Sequence, residues 1–107
     1  MTYLGNAFAL SMVDGDCKIS IRLVDMEEVT EILSKGFTSV VGHASTAELY
    51  SSLLKMEIVV NRVTTLLNKN DILIVGQYSG PRLEEGAISL PENASIIWKE
   101  VFLISSE

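Results

Sequence analysis

A chain of 107 residues, 48% of them apolar and with a formal charge of −6, has room for one domain with its own core. Eight Lys and Arg against fourteen Asp and Glu argue against a protein that holds long nucleic acid, since that grip is chiefly phosphate neutralisation. A single Cys and a single His exclude a disulfide framework within one chain and argue against a zinc cluster of nitrogen and sulfur ligands; carboxylates could still hold magnesium or manganese, but the acidic residues are scattered, with no paired-Asp motif.

No apolar run is as long as a membrane span, and Met1-Thr2-Tyr3-Leu4-Gly5 lacks the basic start of a signal peptide, so the expected location is the cytoplasm. Residues 2–8 read as a first strand, in which the amide of Asn6 must find partners or serve a ligand. Ala9 to Met12 reads as a loop and Asp14-Gly15-Asp16 as a turn. Lys18 to Val24 alternates polar and apolar residues, the pattern of a half-buried strand. Asp25 followed by Glu28 has capping-box spacing, and Met26, Val29, Ile32 and Leu33 continue it as a helix over 26–34 that stops at Gly36.

Phe37 to Val41 predicts a short buried strand leading to Gly42-His43. Ser45 with Glu48 again has capping-box spacing, which predicts a helix from there to about Leu54. The β-branched stretch Glu57 to Leu67, the turn at residues 68–71 and the apolar run Ile72 to Val75 read together as a hairpin. Gly76 to Gly86 forms a shaped loop carrying Gln77, Tyr78, Arg82, Glu84 and Glu85, and Ser95 to Ile104 is a final strand. The expected fold is therefore α/β: a mixed sheet of about five strands flanked by helices, in a single domain spanning 1–107.

The chemistry concentrates around His43. A histidine just ahead of a helix lies beside free backbone N–H groups that favour an anion. Imidazole is also the side chain whose ordinary titration range best suits proton transfer near neutrality. Taken alone, a histidine beside glycine is more often a turn residue or a packed one bonded to backbone than a catalyst, Arg82 to Glu85 more often a solvated charged loop, and Asn61-Arg62 reads as the exposed face of a strand.

Four patterns in a fixed order carry a more specific reading: Tyr3-Leu4-Gly5-Asn6-Ala7-Phe8, Gly42-His43-Ala44-Ser45-Thr46, Asn61-Arg62, and Arg82-Leu83-Glu84-Glu85-Gly86. Together they resemble the type III anti-CRISPR ring nucleases, small viral and mobile-element proteins that degrade cyclic tetra-adenylate. The resemblance implies that His43 protonates the leaving 5′ oxygen, and that Arg82 and Glu85 share the active site with it. It also implies that Asn6, Ala7, Phe8, Ser11, Arg62 and Gln77 lie around the ligand. Ser11 there stands in for more polar residues after Phe8, and Gly80-Pro81 makes the segment before Arg82 about one residue longer than the family pattern. A homodimer with the ring bound across its interface is implied as well, with no metal and no cofactor. Two other functions fit the residues less closely: a sensor or sponge that binds the ring without cutting it, and a small viral regulator or adaptor. The negative charge and the missing helix-turn-helix signature count against DNA recognition by the last.

Overall fold

The opening Thr-Tyr-Leu-Gly forms strand β1 (Thr2–Gly5), shorter than the predicted 2–8. It ends where the Asn6 side chain turns aside to accept the Gly42 N–H through Oδ1 at 3.1 Å. The computed structural model describes residues 1–83, 86 and 88–105. A single 3₁₀ turn (Leu10–Met12) lies inside the predicted loop. The alternating segment is strand β2 (Lys18–Val24), and helix α1 (Met26–Ser34) follows within its predicted bounds. Asp25 Oδ1 accepts the Glu28 N–H at 2.8 Å, the cap that the spacing called for, and Gly36 leaves the helix at a φ of +110°.

Strand β3 (Thr38–Ser39) keeps only two of its five predicted residues. Helix α2 (Ala44–Leu54) corrects the expected start: the N-cap is His43, not Ser45, and the imidazole makes no capping bond. Asn6 fixes the Gly42 amide and Asn61 N–H donates to the Val41 carbonyl at 2.8 Å, so the backbone is held extended up to His43 and turns helical immediately after it. The last elements are strands β4 (Ile72–Ser79) and β5 (Ser95–Ser105).

The predicted hairpin does not form. Residues 57–67 contain no strand, and both edges of β4 are occupied by other partners, β1 in parallel and β5 antiparallel. The 57–67 segment instead runs past β3. Ser39 Oγ donates to the Val59 carbonyl at 2.6 Å, Asn61 Nδ2 donates to the Ser39 carbonyl at 2.7 Å, and Leu67 N–H reaches the Met12 carbonyl. The turn at 68–71 is as expected: Asp71 Oδ2 accepts the Asn68 N–H and Oδ1 takes the terminal ammonium of Met1.

The five strands lie in the order β2-β5-β4-β1-β3, a mixed sheet in which β1, β3 and β4 are parallel and β5 runs against β4 and β2. Alternation along the strands sends side chains to two different cores. Both helices cover one face, where Val29, Leu33, Ala47, Tyr50 and Leu54 pack on Leu4, Ile74 and Trp98. There the Tyr50 hydroxyl donates to the Gly76 carbonyl at 2.8 Å, and its ring lies 4.9 Å from that of Trp98. Burial pushes the Tyr50 phenol well above its ordinary range, an effect that the hydrogen bond only partly offsets. A side chain at Gly76 would fall 2.5 Å from that hydroxyl, so only glycine fits. On the helix-free face Leu73, Val75, Val101 and Leu103 are covered by Phe8, Met12, Val13 and Leu67, while Ile21, Leu23 and Ile97 stay exposed.

Candidate functional site

The parallel strands β1, β3 and β4 all end on one side of the sheet, the place where α/β folds open a crevice for ligands. Two cavities open around these ends, on opposite faces of the sheet.

The larger is an open cleft of about 740 Å³. One wall is the start of α2, with His43, Ala44 and Ser45; the other is the end of β4 and the loop after it, with Tyr78, Gly80, Arg82 and Leu83. His43 is exposed in the cleft. Although it is the N-cap, its imidazole accepts no bond from the first backbone N–H groups of α2, and the first turn contains no acidic residue. The cleft therefore combines an imidazole, the positive end of an eleven-residue helix and a guanidinium, a set suited to a phosphodiester.

The far wall is shaped by two local constraints. Gly80 has a φ of +147°, and a Cβ there would lie 2.7 Å from Ala94, so the chain can leave β4 at this angle only through glycine. The Tyr78 hydroxyl then donates to the Pro81 carbonyl, tying down the residue just before Arg82. Sequence reasoning placed Tyr78 in the shaped loop without a role. Its position at the end of a strand, three residues before a proline, is the only signal that could have found one.

The smaller cavity, about 340 Å³, lies on the helix-free face. It brings together Asn6, Ala7, Phe8 and Gln77, four of the expected ligand residues, and adds Lys99, which sequence reasoning missed. Asn6 joins the two cavities, because its side chain lines this one and holds Gly42, the neighbour of His43 in the other. Arg62 leans over the same glycine, its Cγ 3.5 Å from where a Gly42 Cβ would sit, but does not line the cleft. Ser11 is exposed on the 3₁₀ turn, outside both cavities. Glu85 lies outside the described residues. Among the described residues no three His, Cys, Asp or Glu side chains converge as a metal site, and no helix is long and apolar enough to cross a membrane.

The comparisons with known proteins agree with this fold. The family model described as STIV B116-like matches residues 2–96. Uncharacterized protein 26 of Sulfolobus islandicus filamentous virus (isolate Iceland/Hveragerdi) is 32% identical over 90 residues, which cover 82% of this chain and 75% of that protein. Among solved structures, B116 of Sulfolobus turreted icosahedral virus superposes with a TM-score of 0.80 at 27% identity, covering 94% of this chain and 97% of B116.

Proposed function

The chain belongs to the STIV B116-like family of small viral proteins, and we propose that it is a metal-independent ring nuclease that opens cyclic tetra-adenylate and so blunts type III CRISPR defence in the host cytoplasm. The observation that carries this reading is the cleft in which His43, the open first turn of α2 and Arg82 face a common space. Of the motifs that resemble the ring nucleases, His43, Ala44, Ser45, Arg82 and Leu83 line that cleft, whereas Asn6, Ala7 and Phe8 line the cavity on the other face.

The reaction uses the substrate's own nucleophile. The ribose 2′ hydroxyl loses its proton to Glu85 or to solvent water as its oxygen attacks the adjacent phosphorus, the bond from phosphorus to the 5′ oxygen breaks, and His43 gives a proton to that departing oxygen. The product is a linear oligoadenylate with a 2′,3′-cyclic phosphate at one end and a 5′ hydroxyl at the other. Holding the attacking and leaving oxygens in line supplies much of the acceleration. Arg82 and the α2 amides stabilise the charge that builds on the non-bridging oxygens. Glu85 has the role of orienting a cation or receiving the 2′ proton. The chain's negative charge is no obstacle, because the ligand has few phosphates and the cleft supplies its own local field. A homodimer presents two such clefts to one ring of matching symmetry.

The test is direct. Purified protein incubated with labelled cyclic tetra-adenylate in the presence of EDTA yields linear product with a cyclic phosphate end. Recovery of intact ring, bound or free, overturns the assignment of a nuclease.

A further inference from the structure

The approach to Arg82 is one place where this chain departs from the ring-nuclease pattern, since Gly80-Pro81 makes it about one residue longer. The sheet ladder ends at the Ser79–Ser95 pair, and among the described residues no backbone hydrogen bond reaches residues 80–83. Other constraints hold this stretch. Gly80 passes so close to Ala94 that a Cβ would lie 2.7 Å from it. Pro81 has its φ fixed by the pyrrolidine and has no N–H, so its carbonyl is its one hydrogen-bonding group. The Tyr78 hydroxyl donates to that carbonyl, from a half-buried ring that sits in β4 opposite Ile96 of β5. Because the peptide unit is planar, fixing the Pro81 oxygen also fixes the Arg82 nitrogen and the direction in which the chain enters Arg82.

We propose that Tyr78 is a positioning residue, whose hydroxyl holds the Pro81–Arg82 peptide so that the guanidinium stays across the cleft from His43. The phenol supplies the hold that a shorter segment would exert by its length alone. Arg82 is exposed, and without this bond it would be ordered only by the substrate, at a cost in backbone and side-chain entropy at each turnover. A group that stabilises charge developing on a phosphate works best when it is in place beforehand. The effect on catalysis rests on the ring-nuclease reading; the effect on the order of Arg82 does not.

The experiment compares the full-length chain with its Tyr78→Phe variant, which keeps the aromatic ring in the cleft wall and removes only the hydroxyl. Nitrogen-15 relaxation of the Arg82 amide reads the hold directly. Its order parameter is expected to fall from about 0.85 to about 0.6 or below, while those of Ala44 and Ser45 stay unchanged. Arg82 order that does not move, or that falls equally at Ala44 and Ser45, overturns the proposal. Single-turnover cleavage of cyclic tetra-adenylate is expected to slow by about tenfold, the scale of one hydrogen bond, with the affinity for the cyclic ligand nearly unchanged. In an Arg82→Ala background Tyr78→Phe causes no further loss, because no guanidinium is left to place. An unslowed rate in the single variant, or the full loss in that background as well, overturns the proposal. If the unaltered protein leaves the cyclic ligand intact, the nuclease reading fails and the order of Arg82 decides the positioning by itself; cleavage with Arg82 order unmoved by the variant does the reverse.

Discussion

The two faces of one sheet end are built from the same strands, yet they differ in what they offer a ligand. The helix-bearing side presents His43, a helix N-terminus and Arg82 in an open cleft. The other side presents amides and Lys99 over an apolar floor in a cavity less than half that volume. Alternation along β4 makes the difference: Gln77 and Tyr78 are neighbours in sequence but face opposite cavities. On the proposed function, the groups that would meet a reacting phosphate collect on the helix-bearing side. Asn6 links the two, since it lines one cavity and bonds to Gly42 beside the other.

The sharpest way to break that comparison is on the reactive side. Arg82→Ala is expected to lower the cleavage rate by about 10²–10³, the scale of losing one donor to a developing oxyanion, with a much smaller change in ring affinity. Equal losses in rate and affinity, read from single-turnover and binding measurements, would move Arg82 to the recognition side.

Asn6→Ala probes the link. It deletes one hydrogen bond to a half-buried turn, so chemical denaturation should show a loss of about 1 kcal/mol. The same variant should also slow cleavage of cyclic tetra-adenylate, because the turn that presents His43 loosens. A variant with unaltered cleavage would uncouple the two faces.

The smallest effect lies in the core beneath the cleft. Tyr50→Phe removes the bond to the Gly76 carbonyl and is expected to cost about 1 kcal/mol at neutral pH. The raised Tyr50 value fixes the sign of the pH dependence: the folded state keeps its proton where the unfolded chain begins to lose it. The stability linked to this group is therefore complete below the ordinary phenol range, about pH 10, and falls as pH rises through and beyond it. Tyr50→Phe should flatten this alkaline fall, and thermal melts across that range measure it.

What could be read from the sequence was local. The extent of β2 and the Asp25 cap of α1 depend on residues a few positions apart, and both stand as predicted, although Ile21 and Leu23 of β2 are exposed where a half-buried strand was expected. The start of α2 did not follow its capping spacing, because Asn6 and Asn61, distant in sequence, decide where the backbone stops being extended. The hairpin failed for the same kind of reason: the valines of 57–63 suit a strand, but β1 and β5 had already taken the edges of β4. At the site, His43 and Arg82 were found as motif residues, and the structure places them across one cleft. Lys99 gave no signal, since a lysine alternating with apolar residues on a final strand looks like any solvated face.

The most direct test of the central claim is the His43→Ala variant, assayed for both cleavage and retention of labelled cyclic tetra-adenylate. A general acid is worth a factor of about 10²–10⁴, so cleavage should fall by at least that much while the ring stays bound with nearly unchanged affinity. Cleavage at the unaltered rate would contradict the account.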